Sequence, residues 1–224
     1  MKAKKEASKV AKKKAPVKKA ALKAKPAVKA VVKAILPAVS EPVIFTQELK
    51  IPKDRVGVLV GKKGEVKRWI ERKADVKLII SKEGDVIISG KDNVMIFDVK
   101  IVVQAIGRGF APEKATRLFH EETALELIDI TGYAGKSRKK LDRLRGRVIG
   151  ENGRARRSVE DLTETDISVY GKTVAIIGEI EMAAIARSAV DMLLSGAPHG
   201  AVYRMLENKR REFHRRRVEA LAKA

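Results

Sequence analysis

Two stretches decide the fold of this chain: residues 58–70 read VLVGKKGEVKRWI, and residues 147–159 read RVIGENGRARRSV. Each places a G-x-x-G loop between an apolar run and a stretch with helical periodicity. Glycine has no side chain, so at such a loop the backbone can approach a bulky neighbour closely. The two loops begin at Gly61 and Gly150, 89 residues apart. This spacing indicates an internal repeat.

The elements around the two loops follow the same order. Hydrophobic periodicity predicts β-α-loop-α-β-β-α around the first loop, over residues 43–51, 54–64, 65–74, 75–81, 86–90 and 92–109. The same order is predicted around the second loop, over residues 125–131, 136–153, 154–164, 165–171, 173–179 and 180–196. Gly84 suits the turn between the paired strands, and Asp92 or Asn93 suits the N-cap of the long helix.

The predicted fold class is α+β, with two tandem domains over residues 43–110 and 125–197. A connector, residues 111–124, is expected to pack between them. A charged helix over 198–222 is predicted within the closing segment 198–224, and a Lys-rich tail, residues 1–42, precedes the first domain. Each repeat matches the smallest domains that are stable alone, roughly 60–70 residues.

The composition points to a polyanionic partner. The chain has 224 residues, 49 basic and 28 acidic, for a net charge of +21. Such an excess favours nucleic acid first and an anionic membrane second. No cysteine is present, which excludes disulfides and thiolate metal sites. No apolar run is long enough to span a bilayer, and neither a signal nor a transit peptide is predicted, so a cytoplasmic location is expected.

The tail concentrates the charge. Residues 1–35 contain thirteen lysines against one glutamate, which leaves +9 of the total +21 for the rest of the chain. Low complexity and four prolines predict disorder. A loose arm for RNA phosphates is favoured over a merely solubilising tail. An amphipathic membrane helix at AVKAVVKAILPAV is a weaker interpretation, because Pro37 shortens it.

The loops themselves predict an anion site. Each loop leads into a helix N-terminus, whose free N–H groups and positive dipole end favour a phosphate. At the first loop Lys62 and Lys63 add charge, and Lys67 and Arg68 lie just beyond it. A single G-x-x-G pattern is weak evidence, but its repetition within the same order of elements is strong.

The segments VLVGKKGEVKRWIERKADVKLIIS and RVIGENGRARRSVEDLTETDISVYG resemble the K-homology (KH) signature, in which V-I-G-x-x-G precedes a helix and a strand. With the ending SGAPHGAVYRMLENKRREF, the chain is similar to a narrower tandem-KH group, the archaeal counterparts of the eukaryotic ribosome-biogenesis KH protein that partners the Nob-one endonuclease. The resemblance covers residues 43–213 and implies two type I KH domains.

In KH domains the loop clamps the backbone of about four unpaired nucleotides, with the bases along a groove between helices and sheet. The resemblance therefore implies two clamps, one at Gly61, Lys62, Lys63 and Gly64, the other at Gly150, Glu151, Asn152 and Gly153. The implied groove residues are Val58, Val60 and Ile79 in repeat one and Val148, Ile149 and Val169 in repeat two. The narrower group implies binding near the 3′ end of small-subunit ribosomal RNA and assistance to its endonucleolytic maturation.

The second loop departs from the KH pattern, which usually has a basic residue between the glycines. Glu151 would repel a phosphate. Several arginines surround the loop and are expected to compensate: Arg145, Arg147, Arg154, Arg156 and Arg157. The first loop is thus expected to rely on its own lysines and the second on its neighbours, unless the second loop faces a protein.

Other conspicuous residues have structural interpretations. Val66, Ile70, Val159 and Leu162 recur at helical spacing and are expected in the core, as is Trp69, the single tryptophan. The basic run KRREFHRRR, residues 209–217, is expected to contact phosphate in a ribosomal precursor rather than simply to end a solvated helix. Nearby Tyr203, Met205 and Leu206 could dock on the second domain.

No enzyme signature is found. GKS (135–137) and GKT (171–173) lack the preceding glycine of a P-loop, and Ile130 and Asp166 occupy that position. The three histidines are far apart and suggest no metal site, and no cofactor is expected. Glu121, Glu122, Glu179 and Glu181 are interpreted as surface charges.

Three functions remain open at this level. The first is a non-enzymatic adaptor that binds single-stranded RNA during small-subunit maturation, in contact with the subunit precursor. The second is a scaffold in translation initiation, in which one KH copy binds an initiation factor or an endonuclease. The third is an accessory to RNA degradation. Single-stranded DNA also fits a KH groove.

Overall fold

The structure, a computed structural model, describes residues 44–222. The predicted tail over residues 1–42 therefore lies outside the described part. The first repeat contains β1 (Phe45–Lys50), α1 (Lys53–Val60), α2 (Glu65–Ala74), β2 (Val76–Ile80), β3 (Asp85–Gly90) and α3 (Asn93–Gly107). A short 3-10 turn, Lys62–Gly64, joins α1 to α2.

The second repeat follows a connector with α4 (Pro112–Ala115) and a 3-10 turn, Thr116–Phe119. It contains β4 (Thr123–Asp129), α5 (Thr131–Ala134), α6 (Arg138–Ile149), α7 (Arg154–Thr163), β5 (Asp166–Tyr170), β6 (Thr173–Glu179) and α8 (Ile180–Ser195). A 3-10 turn, Glu151–Gly153, joins α6 to α7, and α9 (His199–Leu221) ends the described chain. The predicted α+β class and the internal repeat are confirmed.

Both sheets have the same topology. Their strand orders are β1-β3-β2 and β4-β6-β5, and every neighbouring pair is antiparallel. Asp92 caps α3, as predicted, because its carboxylate accepts a hydrogen bond from the Val94 N–H at 2.8 Å. Gly84 lies in the β2–β3 turn with φ of 93°, a conformation that glycine adopts readily.

Each sheet has one face covered by the helices of its own repeat. In the first core, Leu78, Val86 and Ile88 pack with residues of α3. Ile70 and Val159 are buried as predicted, and Val66 and Leu162 pack against the cores while partly exposed.

The core prediction for Trp69 is wrong. This residue is 39% exposed, and its ring meets the edge of Phe119 at a centroid distance of 6.0 Å. Periodicity placed Trp69 on the apolar stripe of α2 without showing where that stripe ends.

The second sheet is covered on its other face as well. Ala175 and Ile177 of β6 belong to the first core, together with Phe110 and Leu118 of the connector region. Leu125 and Leu127 of β4 pack against the same cluster. The connector thus lies between the helices of repeat one and the outer face of the second sheet, and the two repeats share apolar surface.

Polar contacts reinforce this junction at β5. Asp166 accepts from Lys114 Nζ at 2.7 Å and from Arg117 Nη1 at 2.8 Å. Ser168 donates from its hydroxyl to the Arg108 carbonyl at 3.0 Å. A Cβ on Gly109 would lie 2.6 Å from the Ser168 hydroxyl. Backbone and side chains therefore meet too closely there for a larger residue.

The terminal helix packs against α7 and α8 through its first half. Val202 and Leu206 are buried in the second core, and Tyr203 and Met205 pack against it. The predicted docking of this helix on the second domain is confirmed. The basic run beyond it remains exposed at five arginines: Arg210, Arg211, Arg215, Arg216 and Arg217.

The Asp166 junction can be tested by Asp166→Asn. We expect the free energy of unfolding to fall by about 1 kcal/mol, because a neutral amide cannot make the two charge-assisted contacts between connector and sheet. Asp85→Asn is the matched control: its pair with Lys50 joins side chains that are 58% and 72% exposed. Exposed pairs contribute about 0–1 kcal/mol at most. Equal unfolding free energies of the two variants in urea titrations would contradict the role of Asp166.

Candidate nucleic-acid interface

The two G-x-x-G loops have nearly the same backbone conformation. The φ angle is 73° at both Gly61 and Gly150, and the second glycines have 77° and 76°. Between them, Lys63 and Asn152 also have positive φ, at 52° and 51°. The repeated pattern in the sequence is therefore a repeated three-dimensional shape.

The first glycine of each loop is required by the protein itself. A Cβ on Gly61 would lie 2.5 Å from Val66 Cγ2. A Cβ on Gly150 would lie 2.6 Å from the Ala155 Cβ and 2.7 Å from the Ala155 nitrogen. A Cβ atom essentially never comes this close to a non-bonded atom. The first glycine is therefore required because the helix that follows the loop leaves no room for a side chain.

The second glycine faces open space. At Gly64 the nearest atom to a built Cβ is Arg68 Nε at 3.9 Å, and at Gly153 it is the Arg157 guanidinium at 3.7 Å. Positive φ alone does not demand glycine here, because the adjacent Lys63 and Asn152 tolerate it. The absence of a side chain at the second glycine thus leaves room for something outside the protein.

An arginine from the following helix holds each loop. Arg68 donates from Nη2 to the Lys63 carbonyl at 2.7 Å and from Nε to the Gly64 carbonyl at 3.2 Å. The equivalent Arg157 donates from Nη2 to the Asn152 carbonyl at 2.5 Å. Both are exposed, and a guanidinium has five N–H donors, so donors remain for an anion. Their bonds inside the protein fix the carbonyl of the central, left-handed residue.

The first loop carries free positive charge. Lys62 and Lys63 are exposed beside the N-terminus of α2. Lys67, predicted as a further contact, instead lies 3.7 Å from the Glu71 carboxylate. Glu71 also accepts from the Leu78 N–H at 2.9 Å and so ties α2 to the edge strand β2. Of the three lysines predicted at this loop, Lys67 is held in an ion pair, and Lys62 and Lys63 are exposed.

At the second loop, the predicted compensating arginines fall into two groups. Arg154 and Arg157 are exposed next to Glu151 and Asn152. The others are engaged within the protein: Arg145 pairs with Asp142 at 3.4 Å, and Arg156 pairs with Glu160 at 3.4 Å.

Arg147, which was predicted to contact RNA, is engaged within the protein. Arg147 donates from Nε to the Leu193 carbonyl at 2.8 Å, and from Nη2 to the Ala197 carbonyl. These carbonyls lie at and just beyond the C-terminal end of α8, where helix carbonyls lack partners within the helix. In repeat one, Arg55 makes the equivalent bond from Nε to the Ile106 carbonyl at 2.8 Å. Proximity to the loop in sequence did not reveal this use.

The groove predictions are partly corrected. Val148 is 1% exposed and belongs to the second core, so it does not line a surface. Ile79 alternates with the buried Leu78 and lies on the opposite face of the sheet from the helices. The residue on the helix side is Ile80, which packs against the core while partly exposed. Val58, Val60, Ile149 and Val169 are partly exposed, as a groove wall requires.

The repeat could have identified Ile80. Val169, the strand residue predicted for the groove of repeat two, packs against the second core. It lies 89 residues after Ile80, the same offset as between the loops. Applying that offset to the strand selects Ile80 and excludes Ile79.

Both repeats match models of a known domain family. Residues 46–104 match the KH-domain model, and residues 124–211 match a model described as eukaryotic type KH-domain (KH-domain type I). A KH domain-containing protein of Methanocaldococcus jannaschii is 51% identical over 175 residues, which are 76% of this chain and 77% of that protein. The chain belongs to the KH-domain family.

Three further relatives place the tandem KH chain more narrowly. A crystal structure of a complex of a/eIF2alpha, aDim2p and rRNA from Pyrococcus horikoshii OT3 contains a chain that is 42% identical, with a TM-score of 0.72 over 77% of this chain and 97% of that one. The pre-rRNA-processing protein pno1 of Schizosaccharomyces pombe is 29% identical over 107 residues, 47% of this chain and 44% of that protein. A crystal structure of Dim2p from Pyrococcus horikoshii OT3 is 43% identical, with a TM-score of 0.68 over 73% of this chain and 99% of that one, so the chain resembles archaeal Dim2p across both KH copies.

Two other site types, a metal-binding cluster and a membrane-spanning helix, are not found in the part of the chain that the structure describes. No group of three or more histidine, aspartate or glutamate residues there could hold a metal ion. Among residues 44–222, no helix has the length and apolarity needed to cross a bilayer.

The different roles of the two glycines in one KH loop can be tested by alanine substitution. Gly61→Ala should lower the free energy of unfolding by at least about 2 kcal/mol, because it adds a clash with Val66 to backbone strain. Gly64→Ala should lower it by only about 1 kcal/mol, the cost of a left-handed alanine. Denaturant titration of both variants measures the difference, and equal losses of stability would contradict it.

The reassignment of Arg147 is tested by stability rather than by binding. Arg147→Gln should reduce the free energy of unfolding by about 2 kcal/mol, since two carbonyls are left without a charged donor. Arg154→Gln, which changes an exposed arginine directly after the same loop, is the control and should change it by less than about 0.5 kcal/mol. Thermal unfolding of the two variants decides the point; a silent Arg147→Gln would return this residue to the candidate RNA contacts.

Proposed function

We propose that this chain is a non-enzymatic protein that binds single-stranded RNA near the 3′ end of small-subunit ribosomal RNA and assists its maturation. The observation that carries the proposal is the pair of loops with nearly the same backbone conformation, each with its second glycine open to solvent beside exposed cations. A sugar–phosphate backbone can approach such a glycine closely, and the start of the following helix favours its charge.

The relatives support the RNA class. One similar structure contains aDim2p together with rRNA, and the S. pombe relative is named a pre-rRNA-processing protein. A ribosomal precursor offers both unpaired strands for KH grooves and duplex phosphates for the exposed arginines of α9. In this proposal an endonuclease and a translation initiation factor are the protein partners.

The two loops contribute unequally to RNA binding in this proposal. Loop one offers Lys62 and Lys63 directly to the phosphates. Loop two has Glu151 in the equivalent place and depends on Arg154 and Arg157. We assign the stronger electrostatic contribution to the first KH copy and keep both loops as backbone clamps.

The decisive experiment uses a labelled RNA from the cognate 3′ end and a scrambled RNA of equal length. Gly64→Asp and Gly153→Asp place a carboxylate in the open space over each loop. Each should weaken binding at least about tenfold, which is ~1.4 kcal/mol. Gly196→Asp is the matched control, because Gly196 also has a left-handed backbone, with φ of 101° and ψ of 9°, and no atom lies within 4 Å of a built Cβ. Anisotropy titrations report the affinities.

A salt series separates the electrostatic part of the RNA affinity from the part that does not depend on charge. Replacing Lys62 and Lys63 by alanine should reduce the slope of log affinity against log salt by about 0.7 for each single-strand phosphate that these lysines neutralise. If neither aspartate variant changes the affinity, the loops are not the clamps and the proposal fails.

A scaffold role for the second copy is the other candidate. The acidic Glu151 favours it, because a carboxylate suits a basic protein surface better than a phosphate. In that case Gly64→Asp abolishes RNA binding while Gly153→Asp leaves it unchanged.

A further inference from the structure

A second surface lies at the start of α3, away from both loops. Three apolar side chains there are exposed: Val94 at 65%, Met95 at 36% and Phe97 at 57%. Exposing a phenylalanine and a valine one turn apart is unusual on a soluble helix, and such patches commonly mark interaction sites.

The second repeat shows that the fold does not require these side chains. The buried residues of α3 and α8 align at an offset of 87, pairing Ile96 with Ala183 and Ile106 with Leu193. At the same offset, Val94 corresponds to Glu181 and Phe97 to Ala184. Met95 corresponds to Met182, which is buried, so the two copies differ at Val94 and Phe97, where the second repeat has a polar and a small residue.

Val94 and Met95 line a groove of about 460 Å³ between α3, the connector and β4, and Phe97 lies one helical turn from Val94, outside that lining. Its apolar lining comes from both repeats: Ile101, Leu118, Phe119, Leu125 and Leu127. None of these residues belongs to the loops or groove walls of the RNA proposal. The groove is open to solvent and apolar enough to take aliphatic side chains.

The rim of this groove is acidic on a chain whose net charge is +21. Asp98 and Glu121 line the groove, and Asp92 lies at the start of the same helix. Burial raises the pKa of the Asp98 carboxyl, and the charges of Asp92 and Glu121 raise it further. The three carboxylates thus repel one another, and a cation placed among them would relieve that repulsion. An RNA strand would be repelled.

We propose that this groove docks a segment of a partner protein that presents aliphatic side chains flanked by lysine or arginine. An amphipathic helix with a basic border fits this chemistry, with its apolar side chains between Val94, Met95 and Phe119 and its cations toward Asp98 and Glu121. The surface is separate from the loops, so the first KH copy holds RNA and this partner at the same time. The proposal does not depend on RNA binding.

The test uses the full chain and a synthetic helical peptide, about five turns long, with leucines on one face and lysines on the other. A peptide with glutamate in place of lysine is the charge control. Trp69 is a built-in reporter, because it is the single tryptophan and its ring contacts Phe119 of the groove. Its emission and the anisotropy of the labelled peptide give the affinity.

The main variant combines Val94→Glu with Phe97→Ala, the residues of the second repeat. It should weaken binding of the leucine–lysine peptide at least about tenfold without unfolding the chain, since both side chains are exposed. Asp98→Asn with Glu121→Gln should weaken it about threefold. Ile180→Ala removes an equally exposed apolar side chain, 55% accessible, that does not line the groove, and should leave binding unchanged.

Several results would overturn the proposal. Equal affinity of the wild type and the Val94/Phe97 variant would remove the groove as the site. Equal binding of the glutamate peptide would remove the charge argument. A dimer in sedimentation that this variant dissociates would assign the surface to a second copy of the chain. Weaker RNA binding by the same variant would assign it to nucleic acid.

Discussion

The first glycine of each loop brings the end of one helix against the start of the next, and the KH surface depends on this contact. With φ of 73° at Gly61 and Gly150, the backbone departs from the helical conformation and passes directly beside Val66 or Ala155. Any side chain would push the two helices apart. The angle between these helices sets where the second glycine points and where the groove begins.

Three of the four residues in each G-x-x-G loop have positive φ, and one of them, Lys63 or Asn152, is not glycine. A non-glycine residue in this conformation costs about 1–2 kcal/mol, so the loop needs support. The support comes from Arg68 and Arg157, which bond the carbonyl of that strained residue. Asparagine tolerates this conformation better than lysine. The second loop is therefore the less strained of the two, and the first accepts strain in order to present a cation.

Much of this arrangement is readable from the sequence. The G-x-x-G spacing, the common order of elements and the Asp92 cap are local signals, so they predicted both domains and both loops. Three features were missed because they depend on tertiary context. Trp69 lies at the border of an apolar stripe, Arg147 bonds carbonyls that are 46 and 50 residues away, and Ile79 was placed on the wrong side of an edge strand.

The two-sided burial of the second sheet also escaped prediction, although β6 carried a signal for it. Residues 174–177 read VAII, a continuous apolar run of the kind found in strands covered on both faces. Alternation in β4 likewise identified a strand without showing that Leu125 and Leu127 turn toward the connector. Alternating apolar and polar residues show that the two faces of a strand differ in polarity. They do not show which helix or connector covers each face of the sheet.

The shared burial between connector and second sheet has a consequence for how a strand is captured. Within the described residues, 44–222, both repeats belong to one compact unit, so the two loops are not joined by a flexible linker that must be ordered when the second site is filled. Under the proposed function, a nucleic acid long enough to reach both loops, once held by one, meets the other at an effective concentration set by the protein's own geometry. Avidity then requires no additional contact.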